Sequence, residues 1–289
     1  MKLSLCIATY NEEQFIHYPL DSAYDIADEV IVVDGGSEDK TVEIARSYGD
    51  KVKVFVTNNP PMFHANKQKA IEKAKGEWIL QLDADEALSE DLKKEILDVL
   101  QYQNDKSNIK NDGAGGAGGR VPDSVERSEP WREGEPRQAP QNYNAYYISR
   151  KNWFLNRFLT KGGAYPDYTI RLYKNGKAHF PCESVHENVK VVGEIEYLQS
   201  PIFHYADPEF SRYLARWNRY TSLDADMLIK EKKKPSFLSY FFIKPTLWFL
   251  TSYIRYQGFR DGFPGFVFSL FSSIRFWGIY IKWWSKMRS

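Results

Sequence analysis

Short apolar runs alternate with segments of helical spacing over the first hundred residues of the chain. The runs have the length of buried strands, and each helical segment repeats its apolar positions every three or four residues. The predicted strands are Lys2–Ala8, Val30–Val33, Val52–Val56 and Trp78–Leu82, and the predicted helices are Glu12–Ile26, Asp39–Tyr48, Asn66–Lys75 and Ser89–Leu100. This alternation predicts an α/β fold with a mostly parallel, doubly wound sheet.

Shorter strands are predicted in the second half of the chain. They are Tyr143–Ile148, Tyr168–Tyr173, Val189–Val192 and Ile202–Tyr205, and a helix is predicted over Phe210–Lys230. Coming after the strand–helix repeats, these strands indicate a mixed continuation of the same sheet. In the first half, Pro19 is expected to kink the helix that contains it.

Residues 103–141 interrupt this pattern. They contain a run of glycine and alanine, Gly113–Gly119, followed by a stretch rich in Pro, Glu, Arg and Ser with almost no aliphatic side chains. Such a composition cannot bury enough apolar surface to order itself. We therefore predict a mobile insertion at 103–141, which is either a plain disordered loop or a lid near the functional site.

Polar side chains follow three of the predicted strands at the point where each strand ends. Thr9 follows the first, Asp34 follows the second, and Asp83 and Asp85 follow the fourth. Carboxyl ends of parallel strands share one edge of a sheet, and open α/β sheets bind ligands there. Mg²⁺ and Mn²⁺ bind carboxylate oxygens and leave positions for phosphate oxygens. The acid pair thus indicates a metal–diphosphate site, and the alternative is an acidic turn favoured by the next helix dipole.

The net charge of +1 conceals a basic, aromatic C-terminal segment. Residues 228–289 carry eleven Lys and Arg against only Glu231 and Asp261, so residues 1–227 are acidic. The longest charge-free run there, Gly262–Ile274, is shorter than the roughly twenty apolar residues of a membrane span. Lys and Arg beside Trp and Phe are typical of helices at a membrane interface. We predict a catalytic domain at 1–227 and a helical membrane-association segment at 228–289; the alternative is that the aromatics pack on the catalytic domain.

Cysteine usage and the N-terminus indicate the compartment. Cys6 and Cys182 fit no metal or redox spacing and are interpreted as buried thiols in a reducing cytosol. The apolar run Leu3–Ala8 is too short for the core of a signal peptide. A cytoplasmic location is therefore expected.

Three motifs occur in order within residues 1–100. They are Ala8-Thr9-Tyr10-Asn11-Glu12, then Asp34-Gly35-Gly36-Ser37 with Asp39 and Thr41, then Leu82-Asp83-Ala84-Asp85-Glu86. In this order and spacing they resemble the family 2 glycosyltransferases of the Rossmann-like GT-A fold. The later Arg171-Leu172-Tyr173 and Val185-His186-Glu187, with the aromatic C-terminus, resemble the bacterial subgroup that includes lipopolysaccharide core β-1,4-glucosyltransferases. Residues 103–141 are not part of the resemblance.

The resemblance implies a UDP-sugar donor, a divalent metal and transfer with inversion. Asp85 is the implied metal ligand, and Asp83 contacts the ribose or reaches the metal through water, with Ala84 between them at the nucleotide. His204 is a candidate third metal ligand, and the alternative is a hydrogen-bonded core histidine. A metal of this kind, Mg²⁺ or Mn²⁺, acts as a Lewis acid on the leaving group.

Further residues are implied to bind the donor. Asp34 accepts from the uracil N3–H, and Thr9, Tyr10 and Glu12 line the pocket for the base and ribose. Asn66 contacts the nucleotide or is simply a polar residue at a helix N-terminus. Arg171 clamps the diphosphate in a bidentate manner or, alternatively, pairs with a neighbouring acid.

Inversion by a single displacement requires one general base on the acceptor hydroxyl. Glu187 is the first candidate because the family has an acid at this stage of the chain, and Asp167 is the second. The alternative for Glu187 is a surface acid in a salt bridge.

The expected function is an inverting, metal-dependent transfer of a hexose, with glucose as the first candidate, from a UDP-sugar to a lipid-linked glycan. The inner core of lipopolysaccharide is such an acceptor, reached from the cytoplasmic face of the bacterial inner membrane. The alternatives are transfer to polyprenyl phosphate or protein, and a nucleotidyltransferase. The last is disfavoured because the first strand is not followed by a Gly-rich basic loop, and the acidic body argues against a nucleic-acid partner.

Overall fold

The computed structural model describes residues 2–60, 62, 64–110, 143–182 and 188–288. By packing, the chain forms two compact units, Met1–Arg150 with Tyr168–His204, and Lys151–Asp167 with Tyr205–Ser289. The domains expected from the sequence, a catalytic domain at 1–227 and a C-terminal segment at 228–289, stay a prediction.

Strands and helices alternate through the first half of the chain. The strands are β1 (Leu3–Thr9), β2 (Glu29–Asp34), β3 (Val52–Val56), β4 (Trp78–Asp83), β5 (Glu86–Leu88), β6 (Ala145–Phe154), β7 (Arg157–Phe158), β8 (Asp167–Lys174), β9 (Ala178–His179), β10 (Lys190–Val191), β11 (Ile195–Tyr197) and β12 (Ile202–Asp207). The α-helices are α1 (His17–Ala23), α2 (Thr41–Ser47), α3 (His64–Lys73), α4 (Glu90–Lys110), α5 (Phe210–Lys230), α6 (Lys244–Phe249) and α7 (Gly262–Lys286).

Ten of the described strands form one mixed sheet. Its main order is β3-β2-β1-β4-β8-β6-β12-β5, with β11 and β7 also paired to β6. The first four of these neighbours run parallel, whereas β4–β8 and β12–β5 are antiparallel. The predicted α/β fold, a parallel half with a mixed continuation, is therefore confirmed.

Each face of the parallel half carries its own core. In β1, Leu3, Leu5 and Ile7 belong to the core that includes α1 and α4, and Cys6 belongs to the opposite core with Ile71 of α3. Successive side chains of a strand point to opposite faces, so one buried strand serves both cores. This two-sided burial fixes the register of the strands, and hence which residues meet at the carboxyl edge.

Several elements differ from the sequence prediction, among them the short strands β7, β9 and β11, which were not predicted. Helix α1 begins only at His17, because the chain first turns at Phe15 and Ile16, whose N–H groups both donate to the Glu12 carbonyl at 2.9 Å. Pro19 therefore lies in the first turn, where its missing N–H costs nothing, and not at a mid-helix kink. Helix α4 continues to Lys110 instead of ending near residue 100, and β5 was not predicted. The remainder of the predicted insertion, 111–141, lies outside the described residues.

The second unit contains a helical hairpin, residues 237–286, which we call the aromatic hairpin. Its first arm is α6 with flanking π-helical turns, Ser239–Ile243 and Leu250–Arg255, and its second arm is α7. Ring contacts pair Phe237 with Tyr280 and Tyr253 with Phe266, so the arms run antiparallel. Within the described residues, no helix combines the length and the apolarity needed to cross a membrane.

Small residues bring the arms of the aromatic hairpin together at its turn. The Ser252 and Ser269 hydroxyls lie 3.0 Å apart, and a Cβ on Gly258 would come within 2.8 Å of the Ser269 oxygen. A Cβ on Gly265 would overlap the Gly258 carbonyl oxygen. Glycine is required at these positions because backbone approaches backbone.

Candidate active site

The strand register brings three of the predicted site residues side by side. Thr9 pairs with Asp34 on one neighbouring strand, and Ala8 pairs with Asp83 on the other. Thr9 is 6% exposed, and its Oγ1 is buried without a hydrogen-bond partner among the described residues. Buried hydroxyls are normally satisfied, so this oxygen can accept or donate a hydrogen bond to a ligand at the edge.

The loop after β2 is organised by Asp34. Its Oδ2 accepts from the backbone N–H groups of Gly36 and Ser37, both at 2.8 Å, and its Oδ1 accepts from the Ser37 hydroxyl. Gly36 has φ of +84°, a conformation that favours glycine. Asp34 thus holds the loop in place. Its role as the acceptor for the uracil base stays a prediction.

The loops after β1 and β2 are joined by hydrogen bonds. The Asn11 N–H donates to the Ser37 Oγ, and the Asn11 Oδ1 accepts from the Glu38 N–H, both at 2.8 Å. The Glu12 N–H donates to the Thr41 Oγ1 at 2.8 Å. The motif residues Asn11, Ser37 and Thr41 therefore shape the edge through these bonds, and Tyr10 is exposed beside them.

Asp83, at the end of β4, is held by two cations. Its Oδ2 lies 2.6 Å from Nη2 of Arg171 on β8, and its Oδ1 forms an ion pair with Lys67 of α3. Gln81 also donates to Oδ1, at 3.2 Å. Arg171 therefore pairs with a neighbouring acid, one of its two predicted roles, and the diphosphate clamp stays a prediction.

Glu86 is a fully buried carboxylate that fixes the turn after β4. Its Oε2 accepts from the Asp83 N–H at 2.9 Å, and its Oε1 accepts from Arg171 Nη2 at 2.7 Å. Arg150 lies 3.5 Å from the same Oε1. Because one carboxylate binds both the turn backbone and the cation of Asp83, it determines where the Asp83-Ala84-Asp85 turn projects its side chains.

Burial and charge act in opposite directions on Asp83. Burial opposes ionisation, but the charges of Arg171 and Lys67 outweigh it and hold the pKa of Asp83 well below its usual range. Burial lowers the pKa of Lys67, and the charge of Asp83 partly offsets that effect. Asp83 is therefore an ionised carboxylate whose charge is balanced within the protein.

Asp85 and His204 form a separate pair. His204 Nε2 lies 3.4 Å from Asp85 Oδ1, and both side chains are partly exposed. His204 reaches this position because β12 pairs with β5, in the register His204 opposite Glu86. Ala84 between the two acids is buried. Of the three predicted metal ligands, the structure brings Asp85 and His204 together and leaves Asp83 in its ion pairs.

Among the described residues, no group of three or more His, Cys, Asp or Glu side chains is arranged to hold a metal ion. A carboxylate and an imidazole are nevertheless suited to a divalent cation whose other ligands are phosphate oxygens and water, as Mg²⁺ and Mn²⁺ sites commonly are. The Asp85–His204 pair therefore fits an ion whose remaining ligands come from the substrate and water.

Three other predicted residues have different surroundings. Asn66 is buried, donates to the Asn58 carbonyl at 3.1 Å and accepts from Lys69 at 3.1 Å, so it anchors the loop after β3. Asp167 is the first residue of β8 and is partly exposed. Glu187 lies outside the described residues. Their roles toward nucleotide and acceptor remain predictions.

Lys67, Gln81 and Glu86 contact Asp83, although the sequence predicted no role for them. A signal was available: each is a long polar side chain inside a stretch whose neighbours are buried, such as Ile79-Leu80 before Gln81 and Ala87-Leu88 after Glu86. A charged residue in such a position must find a partner. Which partner it finds depends on the packing of α3 against the sheet and on the pairing of β8 with β4.

The acidic cluster and the polar loops lie at the carboxyl edge of the sheet, which is where open α/β proteins bind their ligands. The family model for glycosyl transferase family 2 matches residues 4–163, which include this edge. The chain belongs to that family and is a glycosyltransferase, and the fold is the GT-A fold expected from the sequence.

Relatives cover nearly the whole chain. A protein of Rickettsia bellii named as an uncharacterized glycosyltransferase is 30% identical over 95% of this chain and 84% of its own length. The lipopolysaccharide core biosynthesis glycosyltransferase LpsC of Rhizobium meliloti is 23% identical over 92% of this chain and 86% of its own length. The solved structure of S. aureus TarS residues 1–349 in complex with UDP is 14% identical, covers 100% of this chain and 92% of that chain, and has a TM-score of 0.45.

Proposed function

We propose that the protein is an inverting, metal-dependent glycosyltransferase that moves a hexose, with glucose as the first candidate, from a UDP-sugar to a lipid-linked glycan such as the lipopolysaccharide inner core. The observation that carries the proposal is the 3.4 Å pair of Asp85 and His204 at the edge where Thr9, Asp34 and Asp83 meet. Membership of a glycosyltransferase family supports the reaction class and sets the nucleotidyltransferase alternative aside.

The donor pocket is assigned to the loops after β1 and β2. Thr9 Oγ1, buried and unpartnered among the described residues, is suited to a hydroxyl or carbonyl of the nucleoside. Asp34 is assigned to the uracil N3–H, with Tyr10 and Glu12 beside it. Asp83 is ionised and fixed by Arg171, which suits it to accept from ribose hydroxyls.

Asp85 and His204 are assigned to the metal. A bound Mg²⁺ or Mn²⁺ neutralises the charge that develops on the leaving diphosphate. Glu86 orients the turn that carries Asp85, through the bond from the Asp83 N–H. The Asp85 carboxylate and the His204 imidazole would hold the ion through an oxygen and a nitrogen ligand.

The general base is assigned to Glu187, with Asp167 as second choice. Either carboxylate would have to take the proton of the acceptor hydroxyl while the hydroxyl oxygen attacks the anomeric carbon and UDP leaves. The assignment is tested by substitution, because a base acts on kcat and leaves UDP binding intact.

The acceptor is assigned to the cytoplasmic leaflet of a bacterial inner membrane. The basic, aromatic residues 228–289 support a peripheral position on an anionic membrane surface. A relative that is named for lipopolysaccharide core biosynthesis favours a core glycolipid over polyprenyl phosphate or protein.

The test is calorimetric titration of UDP into the purified protein with and without Mn²⁺. Asp85→Asn removes the carboxylate charge, and Asp91→Asn, at an exposed acid of α4, is the matched control. Binding that requires Mn²⁺, and that is weakened at least about tenfold by Asp85→Asn alone, is the expected result. Tight binding that ignores both metal and Asp85 would refute the metal assignment, and no binding of UDP would refute the donor. Radiolabelled UDP-hexoses with extracted core glycolipid, polyprenyl phosphate and protein then identify sugar and acceptor.

A further inference from the structure

The second arm of the aromatic hairpin carries an apolar stripe along its whole length. Its members recur every three or four positions, which is the period of one helix face, and they are Phe263, Phe266, Leu270, Ile274, Trp277, Ile281 and Trp284. Five of the seven are exposed, and Phe263 reaches 71% exposure. At the rise of an α-helix this stripe is roughly 32 Å long. Soluble surfaces rarely expose a continuous apolar strip of this length.

The first arm adds a second apolar stripe beside it. Its exposed members are Leu238, Phe242, Leu247, Leu250 and Ile254. The arms are in direct contact: Trp277 Nε1 donates to the Phe241 carbonyl at 2.9 Å, and the rings of the two residues stack at 5.9 Å. Since Trp277 belongs to one stripe and Phe241 precedes a member of the other, the two stripes lie on neighbouring helices.

Basic side chains are fixed against aromatic rings of the same hairpin. Lys244 Nζ lies 3.8 Å above the Tyr240 ring, and the Arg275 guanidinium lies 4.8 Å from the Trp248 ring. Just beyond α7, Arg288 lies 4.2 Å from the Trp284 ring. Trp and Tyr are enriched at the headgroup level of membranes, where cationic side chains meet phosphate. The rings and the cations are therefore suited to the same place, the boundary between lipid headgroups and acyl chains.

Within the described residues 232–288, no acidic side chain is exposed to solvent. From Lys232 to Arg288 the sequence contains one acid, Asp261. Asp261 is 1% exposed, and its carboxylate accepts from the N–H groups of Thr160 and Lys161 at 2.9 and 2.7 Å. The charged groups that this stretch presents to solvent are thus all positive, among them Lys232, Lys233 and Lys234.

This charge selects among the partners that an apolar face could have. A second copy of the chain would bring two positive faces together, which opposes association. An anionic lipid surface offers phosphate for the cations and hydrocarbon for the stripes. Helices with one apolar face and Lys or Arg beside it bind such surfaces lying in the plane of the interface.

We propose that the aromatic hairpin is the membrane-docking surface of the protein, and that it lies in the interface of an anionic phospholipid bilayer with its helix axes parallel to the membrane plane. The two stripes enter the acyl boundary, and Lys244, Arg275 and Arg288 meet the headgroup phosphates. This inference rests on the proposed function, which places the acceptor in a membrane, and it names the residues and the lipid chemistry of the contact.

The test is co-sedimentation of the full chain with phosphatidylcholine vesicles that contain or lack phosphatidylglycerol. The apolar variant combines Leu247→Gln, Phe263→Gln and Ile281→Gln, which replace exposed side chains and leave the core intact. The basic variant combines Lys244→Gln, Arg275→Gln and Arg288→Gln, the three cations assigned to the headgroup phosphates. The matched control combines Val56→Gln and Val192→Gln, which are 58% and 53% exposed in the first unit.

Preferential binding to the phosphatidylglycerol vesicles is expected for the wild type and the control. The apolar variant is expected to lose at least about tenfold in partition coefficient, and the basic variant is expected to lose the preference for anionic lipid. Quenching of tryptophan fluorescence by lipids brominated in the acyl chain should accompany wild-type binding and disappear in the apolar variant.

Equal binding of all proteins, or no binding of the wild type, would overturn the inference. So would a wild-type dimer in light scattering that the apolar variant dissociates, because the face would then be a self-interface. UDP binding is measured on the same proteins and is expected to be unchanged in every variant. Vesicle binding without UDP binding would refute the proposed function alone, and UDP binding without vesicle binding would refute this inference alone.

Discussion

Arg171 Nη2 lies 2.6 Å from Asp83 Oδ2, and the pair is almost completely shielded on the side of the arginine, which is 4% exposed. The same nitrogen lies 2.7 Å from Glu86 Oε1. One cation therefore serves two carboxylates, and the motif acids depend on a residue that lies 88 positions from Asp83 in the sequence.

Loss of the Arg171 charge should destabilise the folded protein. Arg171→Gln leaves the fully buried Glu86 and the partly exposed Asp83 with only Arg150 and Lys67 to compensate them, so the free energy of unfolding is expected to fall by about 3–5 kcal/mol. Urea denaturation followed by circular dichroism measures this. Arg46→Gln, at an exposed position of α2, should change stability by less than about 0.5 kcal/mol. Equal effects of the two substitutions would contradict a role for Arg171 as the common partner.

Acid should weaken the fold through Asp83. Its pKa in the folded state lies below the value of about 3.9 in an unfolded chain. The folded state therefore binds fewer protons, and the stability from Asp83 is fully present above about pH 4 and is lost as the pH falls through the lower, folded pKa. Asp83→Asn should flatten the dependence of unfolding free energy on pH below pH 4. An unchanged slope in the variant would assign the acid sensitivity to other carboxylates.

Substitution by valine should affect the stability of the fold differently at two threonines, Thr9 and Thr41. Thr9→Val removes a buried hydroxyl that has no partner among the described residues, so stability without ligand should be unchanged or rise by about 1 kcal/mol. Thr41→Val removes a hydroxyl that accepts from the Glu12 N–H and donates to Asp39, so stability should fall by about 1–2 kcal/mol. Thermal unfolding gives both values. Calorimetry with UDP adds a second readout, in which Thr9→Val should weaken binding; a Thr9→Val protein that is less stable and binds UDP normally would reverse both assignments.

His204 should matter for metal and not for nucleotide alone. His204→Gln is expected to weaken Mn²⁺ affinity in the presence of UDP by at least about tenfold, with little change in UDP binding without metal. His179→Gln, at an exposed histidine of β9, is the control. Electron paramagnetic resonance of free Mn²⁺ reports the affinity directly. If both variants retain wild-type affinity, His204 belongs to the fold and the metal depends on Asp85 without it.

The turn of the aromatic hairpin should tolerate no added methyl group. Gly265→Ala places a Cβ onto the Gly258 carbonyl oxygen, and relief of the overlap requires the backbone to move, at a cost of about 1–3 kcal/mol or more. Ser285→Ala, at an exposed position of the same helix, should be neutral. Thermal unfolding of the full chain compares the two, and a neutral Gly265→Ala would mean that the arms can separate at the turn without loss.

Elements with a strong, uninterrupted pattern could be predicted closely from the sequence. Helix α5 and strand β3 have the predicted bounds. In each, the apolar pattern is continuous and ends at polar or turn residues on both sides. Helix α1 was predicted too long, because apolar spacing at Phe15 and Ile16 does not reveal that hydrogen bonds to the Glu12 carbonyl form a turn there. Strand β5 is three residues long and exists only because β12 pairs with it.

The candidate site likewise has one part that could be predicted from the sequence and one part that could not. Thr9, Asp34 and Asp83 could be placed at one edge from the sequence, because parallel strands with buried faces have a fixed register. The partners of Asp83 could not be predicted, since Lys67 and Arg171 belong to a helix and a strand whose packing against β4 is long-range. The apposition of Asp85 and His204 likewise follows from the pairing of β5 with β12.

The close packing at Gly258, Gly265, Ser252 and Ser269 has a thermodynamic consequence for whatever surface the aromatic hairpin meets. The two arms are held against each other before any encounter, so contact orders few additional backbone torsions and loses little chain entropy. Association should then proceed at a rate set by diffusion and long-range attraction of charge, without a folding step. A hairpin loosened at Gly265 would associate more slowly even where every exposed side chain is retained.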